Sequence, residues 1–196
     1  PWPVEPHPGT PPSPPIVGCA ALLVPWKGQL VLLEAAAGLP EDVRVELVGG
    51  HFPKDAPYVE SLVARADEAD LRGRVEFVGH VDDALARMRT WSVAVSASVE
   101  PEAGPLVALE AMSIGLPVVG TDLGNTPRVI GDAGLLVPSG EPDALKDALE
   151  RLLSDRDLWQ RCHEEGPRAV RDRLTVGRQM DDLLRLLSDV ADGSMR

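Results

Sequence analysis

Six short apolar runs, each followed by a stretch of helical periodicity, recur between Ile16 and Ser154, and this alternation constrains the fold more than any other feature. The runs are Ile16–Val24, Val43–Val48, Arg74–Val78, Val93–Ala97, Pro117–Gly120 and Gly134–Val137. They are rich in valine, leucine and alanine, and their apolar residues are continuous rather than alternating, as strands buried on both faces require. Helices are expected over Lys27–Gly38, Ala56–Asp70, Asp83–Arg89, Leu106–Ile114, Thr126–Ile130 and Pro142–Ser154. A repeated βα order with doubly buried strands predicts an α/β fold: a doubly wound, Rossmann-like parallel sheet of about six strands, flanked by helices. The last third is helical. Arg156–Arg173 is charged and amphipathic, and Val176–Val190 carries Met180, Leu183, Leu184, Leu187 and Val190 at helical spacing. Those five are expected to pack as core on a neighbouring element rather than to meet a cofactor.

Domain limits follow from composition. Eight prolines fall within residues 1–15, which begin Pro1-Trp2 and read as a proline-rich linker preceded by something else. Residues 16–174 form the Rossmann-like domain and 175–196 a C-terminal helix and tail. With 196 residues the chain suffices for one such domain and not two. Its net charge of -12 argues against nucleic acid and against an anionic membrane surface, both of which call for a basic face. No apolar run is long enough to span a bilayer and no signal sequence precedes the first strand, so the expected location is the cytoplasm. Cys19 and Cys162 are read as reduced thiols, and no His, Cys or acidic cluster has metal-ligand spacing.

The strand ends carry the functional signal. They break into Pro25-Trp26-Lys27-Gly28, Gly49-Gly50-His51, Gly79-His80-Val81, Val99 through Pro105, and Thr121 through Asn125. In an open parallel sheet these breaks share the carboxyl edge, where ligands bind at the topological switch point. Glu102 and Glu110, eight residues apart, bracket a Gly104-Pro105 turn and the start of an apolar helix. A loop feeding a helix N-terminus offers N–H groups to a phosphate, and carboxylates beside it accept hydrogen bonds from neutral hydroxyls. A phosphorylated sugar or a nucleotide has both parts. Lys27 is either a cation for a diphosphate or a solvated lysine at a helix start. Glu110, flanked by Leu106, Val107, Leu109, Ala111 and Met112, is expected to need a partner, either a ribose diol or a backbone N–H. Glu102 has Glu100 two residues away, and either could be the exposed one. P-loop, nucleophile-elbow and dinucleotide fingerprints are absent from the sequence, which disfavours NTP hydrolysis and hydride transfer.

Several ordered pieces resemble the C-terminal, donor-binding domain of the family-4 (group 1) retaining glycosyltransferases, which have the two-domain GT-B fold. The pieces are Val24 through Glu34, Leu47-Val-Gly-Gly50, Arg74 through Val81, Pro101 through Met112, Gly115 through Val119 and Gly134 through Leu145. The glutamate pair matches the family's E-x7-E signature. The resemblance implies that Glu110 binds the donor ribose, that Glu102 lies beside the transferred sugar, and that Lys27 neutralises the departing diphosphate, making Glu102 and Lys27 the catalytic residues. It further implies that the backbone of Gly104, Pro105, Leu106 and Val107 touches the diphosphate or ribose, and that Val81 to Leu85 line the base. No metal or resident cofactor is implied; the nucleotide-diphosphate sugar is a co-substrate. The sequence departs from the pattern at Leu22, where the family has a second diphosphate cation, and at Gly104-Pro105 in place of an aromatic-glycine pair. After the fifth strand Gly124-Asn125 and Arg128 replace a Gly-Gly and acidic pattern. The acceptor-binding N-terminal domain is missing, so this chain alone is expected to be an inactive fragment of a transferase. The alternative is a degenerate, non-catalytic glycosyltransferase-like binding or interaction module, kept open by Leu22 and Pro105. A nucleotide-sugar epimerase fits the glutamate pair less well.

Overall fold

The computed structural model describes residues 5–191. All six predicted strands form: β1 (Ile16–Ala20), β2 (Arg44–Val48), β3 (Val75–Gly79), β4 (Val93–Ser96), β5 (Val118–Thr121) and β6 (Gly134–Val137). They make one parallel sheet in the order β3-β2-β1-β4-β5-β6. The order reverses between β1 and β4, where Val17 and Gly18 lie opposite Val93 and Ala94. A crevice therefore opens beyond the carboxyl ends of these two strands, because the connections leave in opposite directions.

The helices are α1 (Gln29–Ala37), α2 (Ala56–Ala66), α3 (Ala84–Met88), α4 (Leu106–Ile114), α5 (Thr126–Ile130), α6 (Pro142–Ser154), α7 (Arg156–Arg173) and α8 (Val176–Ala191). Side chains on successive strand residues point to opposite faces, which divides the core in two. Val17, Val45, Leu47, Val93, Val95 and Val119 pack on one side with α1, α2 and α6. Ala20, Ala94 and Val118 pack on the other with α4, α5 and Trp91. The continuous apolar runs of the sequence are explained by this double burial.

Two boundaries lie four residues from expectation, and the others agree with it to within two. The first strand stops at Ala20 instead of Val24, and Pro25–Lys27 forms a single 3-10 turn before α1. Helix α2 ends at Ala66 rather than Asp70, since the chain must turn through Gly73, in the left-handed region at φ 76°, to enter β3. The proline-rich leader is not independent of the domain. Residues 5–15 hold no helix or strand, yet the His7 N–H donates to the carbonyl of Ile114 at 2.7 Å and the His7 ring is buried. The expected packing of the last helix is corrected: Met180, Leu184, Leu187 and Val190 are each about half exposed, and Leu183 lies outside the described side chains. Among the described residues neither core cluster includes any residue beyond Leu174. No helix among the described residues is long and apolar enough to cross a membrane.

Candidate functional site

The loops leaving β1 and β4 are stitched together at the switch point. Gly28 adopts φ 70°, a left-handed conformation closed to most side chains, and an added Cβ there would sit 2.0 Å from the Ala97 carbonyl oxygen. The Val99 N–H donates to the Trp26 carbonyl at 2.8 Å. This close approach delivers Lys27 to Glu102, with Nζ 2.6 Å from Oε2. The ammonium also lies 4.2 Å from the Trp26 ring centroid, a cation–π contact.

Glu102 has two further partners, the Ser98 hydroxyl and the Asn125 N–H, and both residues are themselves tied to their neighbours. Its other carboxylate oxygen accepts a short hydrogen bond from the Ser98 hydroxyl. The Ser98 carbonyl accepts from Thr121 Oγ1 at 2.9 Å and Ser139 Oγ at 3.3 Å, which ties the end of β4 to the ends of β5 and β6. The Asn125 N–H donates to the Glu102 carbonyl at 2.9 Å, and Asn125 Nδ2 to Ala103 O at 3.0 Å. Glu102 thus sits on a loop yet is as firmly placed as a residue of the sheet.

A cavity of about 130 Å³ lies beside the pair. Residues 19–21 and 95–98 line it together with Lys27, Glu102 and the segment 104–107. No side chain caps the N-terminus of α4, so its first-turn N–H groups have no side-chain acceptor. The cavity therefore offers one cation, one carboxylate and the positive end of a helix, a combination suited to an anionic, hydroxylated ligand. Cys19 also borders it, and burial pushes this thiol up to about 12, so it is present as a neutral SH.

Six of the candidate residues, Lys27, Glu102, Gly104, Pro105, Leu106 and Val107, meet around this cavity. Glu110 does not. Ala108, Ala111 and Met112 turn inward, which leaves Glu110 on the exposed face of α4 one turn beyond Leu106. Its carboxylate has no hydrogen-bond or ion-pair partner among the described residues, and partial burial raises its pKa. Val81 and Leu85 also stand off the cavity, packed with Val107 on the second core cluster. Leu85 lies on α3, which Arg87 anchors through Glu46 Oε2 at 2.6 Å and Glu76 Oε1 at 3.1 Å, and Val81 on the loop before it.

Leu22 is exposed, and its carbonyl accepts from Gln29 Nε2 at 2.8 Å; it brings no second cation. Arg128 lines a separate hollow on the far side of Gly104 and Leu106. His51 and His80 are exposed, while His163 donates from Nδ1 to the Gly115 carbonyl at 2.6 Å and stacks on Trp159. Among the described residues no group of three or more His, Cys, Asp or Glu side chains could hold a metal ion. Sequence reasoning missed Ser98, Thr121 and Ser139. Their signal was a hydroxyl at the end of each of three consecutive apolar runs.

The family model described as glycosyl transferases group 1 matches residues 5–169. The chain is 37% identical over 161 residues to a phosphatidyl-myo-inositol mannosyltransferase of Mycobacterium leprae, covering 75% of this chain and 39% of that protein. Its fold matches Anabaena Alr3699/HepE in complex with UDP and glucose, with TM-score 0.80 and 28% identity over 87% of this chain and 48% of that one. It also matches the C-terminal domain of a glycosyl transferase group 1 family protein (LpcC) from Francisella tularensis, with TM-score 0.75, 26% identity, and coverage of 85% and 89%. The chain spans well under half the length of the curated relatives it matches. With a cavity at the switch point of its parallel sheet and a family match across most of its length, the chain belongs to the group 1 glycosyl transferases.

Proposed function

We propose that this chain is the donor-binding half of a retaining glycosyltransferase, which takes a sugar from a nucleotide diphosphate and passes it to an acceptor. The observation that carries the reading is the Lys27–Glu102 pair beside a cavity roofed by the start of α4. In this reading the diphosphate lies along residues 104–107 with Lys27 as its cation, and the sugar lies beside Glu102. Glu110, exposed and without a protein partner, takes the ribose hydroxyls, while Val81 and Leu85 back the base. As the bond from the anomeric carbon to the diphosphate oxygen breaks, the electron pair stays on that oxygen. Lys27 stabilises the growing charge electrostatically, keeping its own proton and without a metal. The acceptor hydroxyl oxygen forms the new bond on the face that the leaving group vacates, and its proton passes to the departing diphosphate oxygen.

A GT-B site closes between two domains, and alignment of acceptor with donor supplies much of the rate. The acceptor-binding domain is the partner this reading requires, so the chain alone binds donor without efficient turnover. Leu22 and Pro105 favour a second reading, a non-catalytic module, because they leave the cavity one cation and one N–H donor poorer. Isothermal titration with UDP, GDP and ADP separates the two. Binding of one nucleotide supports the donor reading and names the base; silence from all three at millimolar ligand favours the module. Where a nucleotide binds, Glu110→Ala is expected to weaken it by about 1–3 kcal/mol, the scale for losing hydrogen bonds to a charged group. Unchanged affinity removes Glu110 from the site.

A further inference from the structure

We propose that Glu102 competes internally with the donor's diphosphate for Lys27, so that the cavity takes a sugar-bearing diphosphate in preference to a bare one. The inference rests on the donor-binding reading above and adds a specificity device to it. Lys27 is the one cation and Glu102 the one anion among the residues that line the cavity, so its side-chain charge sums to zero. The two are bonded at 2.6 Å with side chains only 18% and 9% exposed, where solvent screens their attraction less than at an open surface.

A diphosphate that enters must draw Lys27 away from this carboxylate. Glu102 is then left with the Ser98 hydroxyl alone, and its charge is desolvated without a cation. A bare diphosphate makes this worse, because its oxygens are acceptors and repel Glu102. A sugar on the diphosphate reverses the balance: its hydroxyls donate to Glu102 and replace Lys27, which is released toward the phosphates. Glu102 cannot escape by swinging out. Ser98 is itself buried, and Thr121 and Ser139 hold its carbonyl. Leu22 supplies no second cation that would make the competition irrelevant. Product release gains from the same device, since loss of the sugar returns Lys27 to Glu102.

The test is titration of inorganic pyrophosphate, of UDP, GDP and ADP, and of their glucose conjugates into the wild-type chain and into Glu102→Gln. Glutamine keeps the size and the acceptor for Ser98 and removes the charge. The expected result is tightening of pyrophosphate and of the accepted nucleoside diphosphate by about three- to tenfold, between the weight of surface and desolvated ion pairs. The glucose conjugate does not tighten, so the preference for it shrinks by the same factor. Adding Lys27→Met to Glu102→Gln is expected to abolish the tightening, which shows that the effect runs through Lys27. Should circular dichroism show that Glu102→Gln does not fold, Ser98→Ala tests the competition with the opposite sign: Glu102 loses its second donor and holds Lys27 more firmly, so pyrophosphate and the bare nucleoside diphosphate are expected to weaken, and unchanged affinity for both overturns the inference. Nucleotide binding to the wild type without tightening in the variant overturns this inference and leaves the donor reading standing. No nucleotide binding to any variant overturns both.

Discussion

Glu46 and Glu102 are two shielded carboxylates with nearly the same immediate chemistry and opposite roles. Their side chains are 7% and 9% exposed, and each lies 2.6 Å from a cation. Each also has a second donor: Trp91 Nε1 at 2.7 Å for Glu46, and the Ser98 hydroxyl for Glu102. What differs is the space around them. Glu46 sits in the middle of β2, under a buried tryptophan whose ring fills the place a side chain on Gly18 would need. Glu102 sits on a loop bordering a cavity, and its cation comes from the loop across the topological switch. A buried ion pair by itself therefore marks no site. One with open volume beside it, and partners that a ligand can replace, does.

The sharpest way to break this comparison is to remove each carboxylate and measure stability. Glu46→Ala leaves the buried Trp91 N–H without an acceptor and Arg87 with Glu76 alone, and is expected to lower the unfolding free energy by about 2–3 kcal/mol. Glu102→Ala leaves Lys27 and the Ser98 hydroxyl without their acceptor, but both border the cavity and can turn toward water there, and the expected cost is about 1 kcal/mol. Urea denaturation of the two variants reads the difference. Equal losses would mean that Glu102 is a structural anchor like Glu46, and the site would lose its exchangeable member.

The complementary measurement is affinity. Lys27→Ala is expected to weaken the nucleotide found by titration by about 1.5–3 kcal/mol, as for a hydrogen bond between charged groups, with a modest drop in melting temperature because the Glu102 charge is left with the Ser98 hydroxyl alone. A lysine that contributes to stability instead would show a lowered melting temperature and intact affinity. That pattern would place the Lys27–Glu102 pair in the same class as Arg87–Glu46.

The same contrast explains which features could be read from the chain before its structure. Strands were legible because double burial writes itself as runs such as Val93-Ala94-Val95, and α4 to α7 were legible from their periodicity to the residue. The position of the crevice followed from strand-end breaks, which need only topology. The Lys27–Glu102 contact was not legible, since it depends on Gly28 pressing against Ala97 across 69 residues of sequence separation. Glu46 stood in plain view as a charge within an apolar run, but its partners, Arg87 and Trp91, lie about 40 residues away in a short helix and the turn after it. Glu110 was legible as a carboxylate among apolar residues, but its place on the outer face of α4 was not, since that follows from Ala108, Ala111 and Met112 turning into the core.

A third shielded ionisable group, His7, extends the comparison to the edge of the sheet opposite the cavity. Its ring is buried, with Nε2 2.8 Å from the Trp91 carbonyl and the Gly9 N–H 3.3 Å from Nδ1. These partners fix a neutral ring that donates from Nε2 and accepts at Nδ1. Trp159 lies against it at 5.5 Å between ring centroids and His163 at 6.0 Å, so protonation would add a charge beside a second imidazole. Burial holds its pKa below the ordinary 6.5, with His163 lowering it further. For a base depressed on folding, the unfolded chain binds the proton first, and stability is lost as the pH falls through 6.5. The loss continues down to the folded value and is complete below it. Like Glu46, and unlike Glu102, His7 has partners that no ligand can replace, so this dependence should be the same with and without nucleotide. Thermal melts of the wild type and His7→Gln between pH 5 and 8 are expected to converge toward the acid end, with the smallest effect of the variants considered, because His7→Gln has no proton to gain. A difference that stays constant across that range would mean that the leader is not seated on Trp91 in solution, and the buried histidine would drop out of the comparison.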